Sequence, residues 1–105
     1  MKSLFIGTLL VLAFPSEASQ VASNEKCQSI ENYATLVMNA RQTGSTFDET
    51  QALLSITPAE TRAVINGMIN VAYKKPRFIF SEARQLESIM HFSVEQKKNC
   101  LKESV

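Results

Sequence analysis

The chain has 105 residues, 45% of them hydrophobic, with a net charge of +1, two cysteines and one histidine. That length holds one domain rather than several. So even a charge balance excludes nucleic acid as the dominant partner, and it provides no field that would draw the chain to an anionic membrane surface.

The first residues bear on the compartment. Lys2 precedes an apolar run from Leu4 to Phe14, followed by Pro15 and the small-residue pattern Ser16-Glu17-Ala18. A basic start, an apolar core and a small-x-small site are what an export machine reads as a signal peptide, with cleavage expected after Ala18. The run is too short for a membrane anchor, which needs ~20 apolar residues. No cysteine stands at the cleavage point for lipidation, because Cys27 follows Asn24-Glu25-Lys26. The sequence therefore predicts a signal peptide over 1–18, a flexible lead-in over 19–26 and a single helical domain over 27–105. The expected location is the periplasm, and secretion further out is compatible with the same signals. Loss of Lys2 and Glu17 with the signal peptide leaves the charge at +1. In an oxidising compartment two cysteines in a small chain read as one bridge, Cys27 to Cys100. Closing so long a loop contributes roughly 4 kcal/mol by the chain-entropy model, comparable to the net stability of a small domain.

Helical periodicity dominates the chain from Cys27 onward. Cys27, Ile30, Ala34, Val37 and Arg41 form one stripe, flanked by Tyr33, Leu36 and Met38, with Gln28, Glu31, Thr35, Asn39 and Gln42 opposite. This is an amphipathic helix that Gly44 stops, since glycine accepts the left-handed conformation there. Phe47 leads into Asp48-Glu49, whose charges suit a helix N-terminus, and Ala52, Leu53, Leu54 and Ile56 give a short second helix its buried face. Thr57-Pro58-Ala59-Glu60 combines a capping box with proline at the first helical position, so a third helix is predicted from Pro58 to about Lys74, where Pro76 stops it. Its apolar side is Ala63, Ile65, Met68, Ile69, Ala72 and Tyr73, against a polar stripe of Arg62, Asn66, Asn70 and Lys74. Ser81 can cap a fourth helix carrying Leu86, Ile89, Met90, Val94, Cys100 and Leu101. Ser93-Val94-Glu95-Gln96 also reads as a capping box, so that helix is either continuous or two shorter helices meeting near Phe92. The predicted fold is all-α, a small bundle of four to five helices stapled by one disulfide.

Catalytic constellations are largely excluded by counting. His91 and Asp48 are the only histidine and the only aspartate, and no nucleophile-elbow sequence surrounds a serine to complete a triad with them. No Cys, His, Asp and Glu cluster has zinc-ligand spacing, and three glycines make no phosphate-cradling loop. The chain is expected to be no enzyme and to need no metal or cofactor.

Two segments rise above that background. In Lys74-Lys75-Pro76-Arg77-Phe78-Ile79-Phe80, three positive charges sit at a helix end and a rigid turn beside aromatic rings. This is either a docking loop for an acidic protein surface or lipid headgroups, or a helix end whose lysines complement the dipole while Phe78 and Phe80 fold into the core. In Arg41-Gln42-Thr43-Gly44, an arginine continues an apolar stripe. Either it hydrogen-bonds helix-end carbonyls or a carboxylate, or Arg41, Gln42 and Tyr73 line a partner site.

Cys27 at a first helix, the Arg41-Gln42-x-Gly44 helix end, Ala72-Tyr73-x-x-Pro76 closing a later helix and a terminal Cys100 together make the chain resemble small exported two-cysteine proteins of proteobacterial and prophage genomes. It departs from that pattern in Phe78-Ile79-Phe80 and in having no tryptophan before the last cysteine. The resemblance implies a periplasmic location and a helical fold, and no activity. A rigid, disulfide-stapled helical domain of this kind suits a non-enzymatic periplasmic binding or inhibitory protein, immunity- or exclusion-like, whose partner is another protein. A homodimer through a helix face is compatible with the sequence. An acid-stress chaperone and a carrier of a lipid or other apolar ligand, walled by Met38, Met68 and Met90, are the competing expectations.

Overall fold

A computed structural model describes residues 24–103. The expected signal peptide over 1–18, and the lead-in as far as residue 23, lie outside the described residues. Helix α1 is already formed at residue 24 and runs to 43, so the expected lead-in is helical over its last three residues. Of its predicted stripe Cys27, Ile30, Ala34 and Val37 are buried and Arg41 is half-buried; of the flanking residues Met38 is buried and Leu36 is exposed. Gly44 ends the helix at φ +96°. The Ser45 N–H donates to the Ala40 carbonyl (2.9 Å) and the Gly44 N–H to that of Arg41 (3.4 Å), the paired bonds of a left-handed helix stop.

The chain then returns along the bundle in short pieces. Thr46 caps α2 (Phe47–Gln51) through a capping box: its hydroxyl accepts from the Glu49 N–H (3.1 Å) and the Glu49 carboxylate accepts from the Thr46 N–H (2.8 Å). The Thr46 backbone N–H foremost, and the Thr46 side chain after it, hold the Glu49 carboxyl below its ordinary value of 4.5. Past α2 the backbone tightens into a 3-10 turn over Ala52–Ile56. There Leu53 and Leu54 pack on the core, while Ile56, expected inside, is exposed.

The expected capping box at Thr57 does not form. Thr57 is buried, and its hydroxyl donates backwards to the Leu53 carbonyl (2.6 Å), so it closes the preceding turn instead of capping the next one. Pro58 opens a second 3-10 turn, Ala59–Thr61, and α3 occupies Arg62–Ala72, starting later and ending earlier than predicted. Ile65, Met68, Ile69 and Ala72 face inward; Ala63 does not.

Ser81 caps α4, accepting from the Arg84 N–H (3.2 Å), and α4 is continuous over Glu82–Glu103. It does not break at the second capping-box sequence because Ser93 is buried and its hydroxyl donates to the Met90 carbonyl (3.0 Å) within the same helix. Of the apolar side chains expected on its inner face, only Ile89 and Cys100 pack on the core. Phe92 and Ser93 are the buried ones, and Leu86, Met90 and Val94 stand in solvent.

The fold is thus all-α, with no strand among the described residues. At one end Cys27 is bonded to Cys100, with 5.5 Å between their Cα atoms, and Lys97 donates to the Gln28 side chain (3.0 Å) and pairs with Glu31 (3.8 Å). The other end joins Gln42 to Phe78 and Phe78 to Gln85. Helices α1 and α4 therefore run antiparallel, while α3, whose end lies beside that of α1 through Arg41 and Lys75, runs parallel to α1. The core combines Ile30, Ala34, Val37 and Met38 of α1 with the inner face of α3 and with Phe92 of α4.

Replacing both cysteines with serine should cost roughly 4 kcal/mol, read as a lower urea midpoint, and reductant should move the wild type to the same place. Because the folded pKa of Glu49 is depressed, its contribution is complete above 4.5 and is lost as the pH falls through the lowered value. Glu49→Gln should therefore flatten the acid side of the melting temperature against pH profile and leave its slope near neutrality unchanged.

Candidate functional site

Of the residues that the sequence singled out, Arg41, Gln42, Tyr73, Lys75, Pro76, Arg77 and Phe78 meet at the end of α1, whereas Lys74 faces solvent. Gln42 lies at the centre and is 1% exposed, although the pattern placed it on the polar face; the 76–78 segment covers it. Its Nε2 donates to the Pro76 carbonyl (2.9 Å) and its Oε1 accepts from the Phe78 N–H (2.8 Å). An extended chain presents the carbonyl of one residue and the N–H of the residue two further on along the same edge, so one primary amide satisfies both, as a neighbouring strand would. A flipped amide would set donor against donor and acceptor against acceptor, which fixes its orientation.

Two arginines complete the joint reciprocally. Arg77 donates from Nε to the Gln42 carbonyl (3.1 Å), and Arg41 donates from Nε and Nη2 to the Lys75 carbonyl (3.2 and 3.1 Å). The Arg41 guanidinium also lies 5.2 Å from the centre of the Tyr73 ring. The Tyr73 hydroxyl donates to the Ser45 carbonyl (2.7 Å) and has only one proton to give, so its contact with Thr50 is a bond donated by the threonine. Phe47 meets the Tyr73 ring edge-on at 5.6 Å. Of the two readings of Arg41-Gln42, the one in which they bind chain carbonyls describes their contacts.

Gly44 is required by its backbone conformation, and a side chain there would also displace the end of Arg77. Its φ is one that side chains rarely adopt, and a Cβ there would sit 2.6 Å from Arg77 Nη2.

The joint leaves a different set of groups facing outward. Lys74 and Lys75 are exposed, Phe78 is half-buried, and Phe80, rather than folding into the core, is 99% exposed. Between the 75–78 segment and α4 lies an open groove of about 430 Å³. Its apolar wall is Met38, Pro76, Phe78 and Phe92; Lys75 and Arg84 border it, as do Glu87, His91 and Glu95. The Arg84 guanidinium lies 5.7 Å from the centre of the Phe78 ring, and His91 Nδ1 is 3.7 Å from the Glu95 carboxylate.

The α4 contribution to this groove was missed from sequence. Its signal was present, as Glu87, His91 and Glu95 recur at spacing four. Met38, Met68 and Met90 do not share a wall: the first two are in the core and Met90 is exposed. Among the described residues no three Cys, His, Asp or Glu side chains gather as metal ligands, and no described helix is long and apolar enough to cross a membrane. Asp48 stands exposed in the first turn of α2 and His91 exposed on α4.

These features define a class: a disulfide-bonded all-α domain with an open amphipathic groove. Compared with protein-family models, curated proteins and solved structures, the chain matches none of them.

Gln42→Ala removes the partner of the part-buried Pro76 carbonyl and Phe78 N–H and should cost roughly 1–3 kcal/mol. Gln42→Glu, which keeps the acceptor and loses the donor, should cost a large part of that at neutral pH and less once the carboxylate is protonated. Urea titrations at two pH values separate the variants.

Proposed function

We propose that the chain is an exported, non-enzymatic binding protein of the periplasm that seats a protein partner in the groove between the 75–78 segment and α4. The observation that carries this is the outward face of that groove: Pro76 and Phe78 turned toward solvent above the buried Met38 and Phe92, bordered by Lys75 and Arg84 and by Glu87 and Glu95, with Phe80 fully exposed two residues beyond Phe78. Anchored apolar side chains with a charged border are the usual anatomy of a specific protein interface. A partner would place an apolar anchor against Met38, Phe78 and Phe92 and a carboxylate within reach of Lys75. The disulfide and the Gln42 joint hold both walls in place before binding, which lowers the ordering cost. An inhibitory role of the immunity or exclusion type fits such a rigid surface.

The proposal is tested by crosslinked capture from the native periplasm, comparing wild type with two surface variants, Lys75→Gln and Phe80→Ala. One partner enriched by the wild type, and reduced about tenfold or more by Phe80→Ala, is the expected result. Many substrates bound only at low pH would favour an acid-stress chaperone, and a co-purifying lipid a carrier; either would overturn the proposal, as would a partner indifferent to both variants.

A further inference from the structure

Outside the groove, α4 carries a second apolar stripe that nothing in the fold covers. Leu86, Met90 and Val94 recur every four residues and are 61%, 66% and 43% exposed. They lie along a shallow trough of about 700 Å³ bordered by Glu87, His91 and Lys98. Residues at this spacing form one continuous ridge on a helix, and three long apolar side chains in a row are more than scattered surface hydrophobicity. The helix bears four acidic and four basic side chains, so its overall charge gives it no pull toward an anionic lipid surface.

The charges beside the stripe are ordered instead. Glu87 lies toward one end of the trough and Lys98 toward the other, on the same flank of the apolar ridge. A two-fold axis across an antiparallel helix pair turns that flank onto itself. With the axis near residue 92, Met90 and Val94 interlock with the same residues of the second copy, and Glu87 comes within about one helical turn of Lys98 of the second copy, twice over. In a parallel pair this flank would meet the opposite one and the match would be lost.

We propose that α4 pairs antiparallel with α4 of a second copy of this chain through Leu86, Met90 and Val94, with Glu87 and Lys98 exchanging ion pairs across the axis. Such a pairing is isologous and closes as a dimer. It brings the two grooves to neighbouring sides of one interface and gives the assembly two equivalent docking sites. The inference stands on the stripe and its flank and does not depend on a partner occupying the groove.

Sedimentation equilibrium of the oxidised protein as purified from its native compartment decides it. An interface this small predicts association in the micromolar range, so at roughly 100 µM the protein should sediment as a dimer. Met90→Lys should weaken association by about tenfold or more while leaving the urea midpoint unchanged at concentrations low enough for both proteins to be monomeric, since the side chain is outside the core. Glu87→Lys and Lys98→Glu should each weaken it by roughly three- to tenfold at low salt, and the double reversal should restore it. A monomer at 100 µM, a dimer indifferent to Met90→Lys, or single reversals that the double variant does not rescue would each overturn the antiparallel pairing. Partner capture at the groove, measured separately with Phe80→Ala, fails or succeeds independently of these outcomes.

Discussion

The amide of Gln42 is the group on which the geometry of the bundle depends. A buried primary amide left unpaired costs several kcal/mol, and this one is almost fully enclosed yet bonded on both sides to the 76–78 backbone. That segment has no ladder or helix of its own, so its shape is set largely by the side chains that meet it. The Phe78 carbonyl in turn accepts from the Gln85 side chain (2.6 Å), which sets where the first turn of α4 begins. At the far end Cys100 is bonded to Cys27. The two anchors are equally spaced along their helices, from 27 to 42 and from 85 to 100, about 22 Å of helix in each, so α4 is held against α1 in one register without strain along its axis.

Register at both ends also decides which face of α4 turns inward. The helix has two apolar stripes, one through Ile89, Phe92 and Cys100 and one through Leu86, Met90 and Val94. At 100° per residue, Cys100 is about 20° in azimuth from Ser93 and about 80° from Met90. Bonding Cys100 to α1 therefore selects Ser93 and Ile89 for the interior. Phe92, however, lies as far from Cys100 as Met90 does, on the other side, so it is the packing of Phe92 on the core that leaves the Met90 stripe outside. A serine at a buried position is tolerated because its hydroxyl finds the Met90 carbonyl in its own helix. The exposed stripe is thus a consequence of where the disulfide sits together with which flank Phe92 takes into the core.

Elements whose signals agree with one another were legible in the sequence. In α1, the spacing of Cys27, Ile30, Ala34 and Val37 and the glycine at the end gave both the buried face and the stop, and Ser81 gave the start of α4. Where signals compete, local chemistry lost to burial. Thr57 has the sequence of a cap, but enclosing it turned its one proton back to Leu53, and the capping box that does form, Thr46 with Glu49, went unread beside it. Gln42 was placed on the polar face because only the 76–78 segment, distant in sequence, makes that position interior. The phase of α4 was readable only in part from Cys100, which turns Ser93 and Ile89 inward but does not decide between the flanks of Phe92 and Met90. The groove needed all of these at once, since it exists only between two elements joined through Gln42.

Charge near the 74–77 segment likewise differs from its count. Arg41 and Arg77 point at chain carbonyls, so two of the positive groups in the region serve the fold. Lys74, Lys75 and Arg84 remain toward solvent; Lys75 is opposed across the groove by Glu87 and Glu95, and Arg84 stands beside them on α4. A face of mixed sign selects partners by the pattern of charges rather than by net attraction, because a misplaced like charge costs more than a well-placed pair contributes. Salt should therefore change the rate at which a partner arrives less than it would for a basic patch, whereas loss of the apolar wall should change how long the partner stays. The same rule governs the outer stripe: Leu86, Met90 and Val94 supply the attraction, and the order of Glu87 and Lys98 decides the direction in which a second helix can lie.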